Sequence, residues 1–315
     1  TWLLNVPDIH LRNRKHGAYI YSEVFMHYLR EWYSRIIPII NEYHNVIAFQ
    51  IENEYYTDEA EPDYMQELYD MARAMGIKAP IFHNDVLGFG LYSDIVNIYA
   101  FDNYPTINVN FDWREFPEAF GVLDNAEANL GDVTPDAPLF VAELQAGWYD
   151  KWHGIGYDNI RRFFGREHIN IVTKTVLSQG ITMFNHYMGC GGTSWNQLSS
   201  SELYTSYDFA APVSEVGIPK GNYCKAKEVN YFLQGFGLCS TDLVAEGDDV
   251  TDTSGGNIFA RMRKDNVNGC NWLFIRNLNK DGREFTFTDN NKAYLQAFDM
   301  KILPFNLPLK GCNID

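Results

Sequence analysis

The sequence is short of basic charge, of paired cysteines and of long apolar runs, and each shortage narrows the field. Lys and Arg number 25 against 41 Asp and Glu, a formal balance of −16. The chain therefore lacks the cations that neutralise a phosphate backbone or an anionic bilayer, and neither nucleic acid nor membrane is an expected partner. No apolar run reaches the roughly 20 residues that span a bilayer, and no basic-then-apolar segment opens the chain at Thr1-Trp2-Leu3. A soluble chain is the expectation. The five cysteines, Cys190, Cys224, Cys239, Cys270 and Cys312, form no CxxC pair, so no zinc or redox motif follows; Cys270 and Cys312 could meet in the C-terminal part. There is no Asn-x-Ser/Thr acceptor, which counts against a glycosylated eukaryotic secreted source, and there is no internal repeat or low-complexity linker.

What is present is the material of a large core. Of 315 residues, 46% are apolar or aromatic and 21% charged, which rules out disorder. At roughly 150 residues per domain the length fits two, and a (β/α) barrel of about 250 residues with a small companion fits best. Aromatics make up 15%, a supply that serves a sugar-binding cleft and a large core equally well.

Phe25, Leu29, Trp32, Ile36 and Ile40 recur at helical spacing and are followed by the short apolar run Val46 to Ile51, which predicts a helix and then a buried strand. Pro62 opens a second helix that buries Met65, Leu68, Ala72 and Met75 and stops at Gly76; a strand from Ala79 to His83 follows at once. Further strands are predicted at Ile95 to Phe101, Leu139 to Glu143 and Ile181 to Tyr187, the last preceded by a helix carrying Ile169, Val172, Val176 and Leu177 and closed by Gly180. Alternating strands and helices predict a parallel sheet. Beyond Leu233 the runs Ile258 to Arg263, Trp272 to Asn277, Glu284 to Thr288 and Tyr294 to Leu303 predict a small antiparallel β domain over 239–315 after a catalytic portion over 1–238, with Asn279-Lys280-Asp281-Gly282 as a turn.

Two acids stand where a buried strand has no structural need of them. Glu54 closes Gln50-Ile51-Glu52-Asn53-Glu54, and Glu143 closes Leu139-Phe140-Val141-Ala142-Glu143. Barrel enzymes place their chemistry at such carboxyl ends. Period-two alternation sends Ile47, Phe49 and Ile51 toward the outer helices and Gln50, Glu52 and Glu54 toward the axis, with Glu52 one layer deeper as a tuning acid. Glycoside hydrolysis needs such a pair, one carboxyl to protonate the leaving oxygen and one to attack, and a separation of about 5 to 5.5 Å gives retention. Asn53 is placed to hydrogen-bond a sugar 2-hydroxyl. A buried ion pair or a helix-capping acid is the structural alternative for either carboxylate. His83, His153 and His186 are read as hydrogen-bonded structural residues, because this chemistry needs no imidazole.

These blocks resemble glycoside hydrolase family 35 β-galactosidases. Gln50 to Tyr55 resembles the acid/base signature and Pro138 to Trp148 the nucleophile segment. Asn185-His186-Tyr187-Met188 with Gly191 to Trp195 is similar to the family's Tyr-Met and Gly-Gly-Thr-Asn block, and Tyr204 to Phe209 with Ala211 to Glu215 is similar to its Thr-Ser-Tyr-Asp block. The resemblance covers roughly residues 1 to 235. It implies a (β/α)8 TIM-type barrel followed by a small antiparallel β domain, and a retaining exo-glycoside hydrolase that releases terminal β-D-galactose by double displacement, without metal or organic cofactor. It makes Glu54 the acid/base, Glu143 the nucleophile, Asn53 the 2-hydroxyl contact, Tyr187 a hydroxyl near the nucleophile and Tyr99 a sugar contact, with Tyr104 as the fallback; Trp148 and Trp195 line the cleft.

The resemblance also has departures. Phe209 stands where the family usually carries a sugar-contacting Tyr, which keeps open an exo-β-glucosaminidase or another β-glycosidase of the same mechanism. Gln145 replaces a Tyr of some members and Tyr56 a usual Gly. Thr1-Trp2-Leu3-Leu4 resembles the segment after the third barrel strand, so the barrel is expected to lack its first three strands. The isolated chain is then expected to be unstable and poorly active, and a non-catalytic carbohydrate-binding relative is the rival from another class. Localisation, natural glycan, linkage and oligomeric state are not legible.

Overall fold

The computed structural model describes residues 13–15, 18–20, 23–55, 62–86, 88–106, 112–115, 133, 136–195, 199–200, 202–237, 243–246, 258–265, 269–287 and 291–307. A short hairpin, β1 (Asn13–Lys15) and β2 (Ala18–Ile20), precedes helix α1 (Glu23–Asn41). Then come β3 (Phe49–Asn53), α2 (Pro62–Ala74), β4 (Ile81–Asp85), β5 (Ile98–Asn103) and β6 (Phe140–Gln145). They are followed by α3 (Tyr157–Phe163), α4 (Arg166–Ser178), β7 (Met183–Tyr187), the two-residue strands β8 (Gly192–Thr193) and β9 (Ser206–Tyr207), and α5 (Gly221–Phe236). The C-terminal strands are β10 (Leu243–Glu246), β11 (Ile258–Asp265), β12 (Asn271–Asn277), β13 (Arg283–Phe287), β14 (Asn291–Leu295) and β15 (Asp299–Phe305).

The five strands predicted before residue 239 are present as one sheet in the order β3-β4-β5-β6-β7. A second sheet of four strands runs β10-β11-β12-β15 and is antiparallel throughout, and β13 and β14 form a separate antiparallel pair. The single run expected from Tyr294 to Leu303 is therefore two strands, broken where Phe298 takes a left-handed φ of 52°. Among the described residues no helix is long and apolar enough to cross a membrane. By contacts the chain falls into two compact units, Thr1–Asp102 with Leu130–Val141 and Asn103–Asn129 with Ala142–Asp315.

In the first unit β3, β4 and β5 pair in parallel. Their helix-side cover comes from Met26, Tyr33 and Ile37 of α1 and Tyr64, Met65, Leu68 and Ala72 of α2, all buried in one cluster with Ile51 and Ile81. The buried stripe of α1 is displaced from the predicted one: Phe25, Leu29, Ile36 and Ile40 only flank it, and Trp32 is 59% exposed. Neighbouring positions lie about 100° apart on a helix, so one broad apolar arc admits either set, and contact with the sheet selects Met26, Tyr33 and Ile37. The first strand also starts later than predicted. Val46 to Ala48 stay outside the ladder, which opens where the Phe49 N–H donates to the Pro80 carbonyl at 2.8 Å, and Ile47 is 79% exposed.

In the second unit α4 buries Ile169, Val172, Val176 and Leu177 as its spacing predicted. It also holds the four-stranded sheet: Asn170 Nδ2 and Lys174 Nζ donate to the Met300 carbonyl at 3.3 and 2.8 Å, Arg276 Nη1 to Thr175 Oγ1 at 3.0 Å, and Arg261 Nη1 to Gln179 Oε1 at 2.6 Å. Burial lowers the Lys174 ammonium to a pKa of about 8. A separate apolar cluster of Ala260, Met262, Leu273, Ile275, Phe285 and Leu295 fills the C-terminal strands. Cys270 is buried with a free thiol, and Cys239 and Cys312 lie outside the described residues.

Candidate active site

In the first unit the polar groups gather at the carboxyl ends of β3, β4 and β5. The register of β3 on β4 slips between Gln50 and Glu52, so Gln50 pairs with Phe82, Glu52 with His83 and Asn53 with Asn84. This bulge breaks the alternation assumed from sequence. Glu52 is the residue it redirects: its Oε2 accepts from the Tyr64 hydroxyl of α2 at 2.7 Å, and its Oε1 from the Asn53 N–H at 2.9 Å. Glu52 thus binds the helix layer instead of facing the sheet axis, and its charge adds to the burial that raises the Tyr33 phenol. Asn53 joins Gln50 in its place, with Gln50 Nε2 donating to Asn53 Oδ1 at 3.1 Å.

Glu54 follows with a left-handed φ of 49° and its N–H bonded to the Asn84 carbonyl at 3.1 Å. A non-glycine residue held there is a strained one, of the kind that clusters at functional sites. Glu54 is exposed, and one of its carboxylate oxygens lies within 4.8 Å of one of Asp102, a buried residue at the end of β5. Asp102 Oδ1 accepts from Asn84 Nδ2 at 2.9 Å. Sequence reasoning missed Asp102 and Asn84. The signal was an Asp after the apolar run Ile98 to Phe101, the same acid-at-strand-end pattern that marked Glu54.

Tyr99 does not fill its expected role. It is fully buried, and its hydroxyl donates to Asp85 Oδ2 at 2.8 Å and accepts from the Gly90 N–H at 2.9 Å. Burial and the Asp85 charge raise its pKa. A ring locked in this way supports a loop and has no face for a sugar. His83 is likewise buried, its Nε2 accepting the Tyr55 N–H at 3.2 Å.

In the second unit the half-buried Glu143 of β6 accepts a short hydrogen bond from the Tyr104 hydroxyl, which places Tyr104 beside this carboxylate. The Tyr104 ring stands edge-on to Trp148 at 5.4 Å and to Tyr187 at 6.3 Å, and the Tyr187 and Tyr207 hydroxyls are 3.1 Å apart. Phe209 is 1% exposed, so it backs this group and does not present a surface. It packs against Tyr187 at 5.2 Å, Tyr207 at 5.7 Å and Trp148 at 6.0 Å. Its left-handed turn, φ 59° followed by 51° at Ala210, is fixed by Asp208, which pairs with Arg161 and accepts the Ala210 and Glu215 N–H groups at 3.1 and 2.9 Å.

Gln145 is buried and clamps the loop after β5: its Oε1 accepts from the Thr106 N–H at 3.2 Å and its Nε2 donates to the Thr106 carbonyl at 2.6 Å. His186 shares a 3.0 Å hydrogen bond with Thr173 Oγ1, and burial lowers it to about 4, so it is a neutral structural residue. His153 sits exposed in a turn, and Trp195 is 82% exposed.

Comparison with known proteins gives the chain its relatives. Probable β-galactosidase A of Emericella nidulans is 32% identical over 203 residues, 60% of this chain and 20% of that protein. Probable β-galactosidase C of Aspergillus niger is 26% identical over 300 residues, 89% of this chain and 29% of that protein. The chain thus spans between a fifth and a third of the length of these relatives. Among solved structures, the α-amylase of Geobacillus thermoleovorans superposes with a TM-score of 0.52 at 8% identity, over 92% of this chain and 66% of that one, a likeness of fold alone. A sequence model of one family, the glycosyl hydrolases family 35, matches residues 1–232, and it is to this family that the chain belongs.

Proposed function

We propose that this chain carries the catalytic carboxylates of a retaining exo-β-galactosidase, with Glu54 as acid/base and Glu143 as nucleophile. The observation that carries the reading is Glu143 at the carboxyl end of a sheet strand, held by the Tyr104 hydroxyl within a ring of Trp148, Tyr187 and Tyr207. Family membership and the exposed Glu54 at the end of β3 support it. The five-stranded sheet is read as part of a (β/α)8 barrel, with 1–238 catalytic and 239–315 a small β domain.

In the first step a Glu143 oxygen bonds to the anomeric carbon as the glycosidic C–O bond breaks, and Glu54 gives its proton to the departing oxygen. In the second, water loses a proton to Glu54 as its oxygen displaces Glu143, which releases β-galactose and regenerates both carboxyl groups. Asn53 donates to the 2-hydroxyl, an interaction that strengthens as charge develops at the anomeric carbon. No step calls for a metal or organic cofactor.

An aryl glycoside panel tests this reading. Hydrolysis of the β-galactoside that Glu143→Gln abolishes, with sugar binding retained, is the expected result. Faster cleavage of the β-glucosaminide would transfer the substrate to that sugar. Binding without turnover in the wild type would make the protein a carbohydrate binder.

A further inference from the structure

Three lysines converge where α4, α5 and β15 meet. Lys174, Lys225 and Lys301 line one cavity of about 180 Å3, with Val229, Phe232 and Ile302 as its apolar wall and Glu228 as the one carboxylate in the lining. A water needs only about 10–15 Å3 of such space, so a tetrahedral oxyanion fits. The formal balance of the chain is −16, yet in this lining ammonium groups outnumber carboxylates.

The existing pairs leave one ammonium over. Lys225 Nζ donates to both oxygens of Glu228 at 2.7 Å, and Lys301 Nζ pairs with Asp299 Oδ2 at 2.9 Å. Lys174 forms no ion pair among the described residues; its Nζ donates to the Met300 carbonyl at 2.8 Å, which occupies one of its three N–H groups. A charge taken out of water without a counter-ion is costly. Lys174 shows that cost: burial first, and then the Lys225 and Lys301 ammonium groups, bring its pKa down to about 8, with Asp299 and Glu228 opposing them. An anion in the cavity supplies the missing counter-charge and accepts the remaining N–H groups.

We propose that this cavity is a binding site for a small tetrahedral oxyanion, sulfate or phosphate, held by Lys174 with Lys225 and Lys301 at its rim. The same chemistry comes as a free ion or as the ester of a sugar. The site shares no residue with the proposed catalytic set, and its test reads binding, not turnover.

The test is isothermal titration of the full chain with sodium sulfate, at an ionic strength held constant with chloride. Saturable binding of one ion is expected at pH 7. It should be about tenfold weaker in Lys174→Met, the worth of one hydrogen bond to a charged group, and unchanged in Lys78→Met, where the lysine is exposed and outside the cavity. Lys301→Gln, at the exposed rim, should weaken binding in the same direction and carries the test if Lys174→Met does not fold. Sulfate is a dianion at both pH 7 and pH 9, so weaker binding at the higher pH reports loss of the Lys174 proton, and Lys174→Met should lose that dependence. Tighter binding of galactose 6-sulfate than of sulfate assigns the anion to a sugar ester, and the reverse to a free ion, either one in support of the site. Heat that does not saturate, or equal affinity in the wild type, Lys174→Met and Lys301→Gln, overturns the proposal and leaves the catalytic reading untouched.

Discussion

The hydroxyl of Tyr104 donates to Oε2 of Glu143, and the same ring stands edge-on to Trp148 and Tyr187. A phenol in this position holds one carboxylate oxygen through a charge-assisted hydrogen bond. Hydrogen bonds to charged groups are worth about 1.5–3 kcal/mol. Tyr104→Phe is therefore expected to lower kcat/KM on an aryl β-galactoside about ten- to a hundredfold, while the denaturant midpoint moves little. Unchanged kinetics would remove Tyr104 from the site.

The two acids are separable by leaving group. An acid catalyst is needed most when the departing oxygen is basic, and general acid catalysis contributes about 10²–10⁴-fold. Glu54→Gln should slow hydrolysis of a phenyl β-galactoside by about that factor, yet scarcely slow a 2,4-dinitrophenyl one in its first step. Glu143→Gln should abolish turnover of both. Equal sensitivity of the two variants to the leaving group would reject the assignment of roles.

The buried histidines give the stability a pH dependence with a definite sign. Burial holds His168 at about 3 and His186 at about 4, against 6.5 for the unfolded chain. Above about pH 6.5 both are neutral folded or unfolded, and they impose no penalty. Below it the unfolded chain takes up protons that the native state refuses, so stability falls as pH drops from 6.5 toward 4 for His186 and toward 3 for His168, by a few kcal/mol each. Urea midpoints measured at pH 7 and pH 5 should show the drop, and His186→Gln should reduce it. A wild-type midpoint as high at pH 5 as at pH 7 would contradict the neutral assignments.

Tyr99 separates support from binding. Its hydroxyl ties the buried Asp85 to the half-buried Gly90 backbone. Tyr99→Phe takes one donor from the buried Asp85, which keeps the Phe89 and Leu91 N–H groups at 2.8 and 3.2 Å, and removes the acceptor of the Gly90 N–H, at a cost of about 1 kcal/mol. The loss should appear in the urea midpoint, with KM for galactosides unchanged in protein that remains folded.

Much of this was legible in the sequence because it was written in periodicity. Ile169, Val172, Val176 and Leu177 announced α4, and the apolar runs before Glu54 and Glu143 announced the strands that carry these acids. What was not legible depended on backbone detail that no period records. A single inserted residue in β3 sent Glu52 to Tyr64 and brought Asn53 beside Gln50. Tyr99 and Tyr104 lie five positions apart in one aromatic-rich stretch, and only the strand's end decided which hydroxyl met Asp85 and which met Glu143. The short helix α3 carries Arg161, whose partner Asp208 is 47 residues away, and such pairings leave no local trace.

The turn at Phe209 is also vulnerable from the opposite side. A Cβ placed on Gly147, just beyond β6, would meet the Phe209 carbonyl oxygen at 2.1 Å and the Ala210 carbonyl carbon at 3.1 Å. That backbone has little room to yield, because Asn222 Nδ2 donates to the Ala210 carbonyl at 3.1 Å and Asp208 pins the turn from the other end. Overpacking of this kind costs about 1–3 kcal/mol. Gly147→Ala should therefore lower the melting temperature and, by displacing Phe209 from beneath Tyr187, reduce kcat more than stability alone explains at temperatures where the protein is folded. Gly235 in α5 is the control: its Cβ would meet nothing within 4 Å, and Gly235→Ala should raise stability by about 0.4–1 kcal/mol through the unfolded chain. If both substitutions shift the melting temperature in the same direction, close contact between Gly147 and the Phe209 carbonyl does not govern the turn.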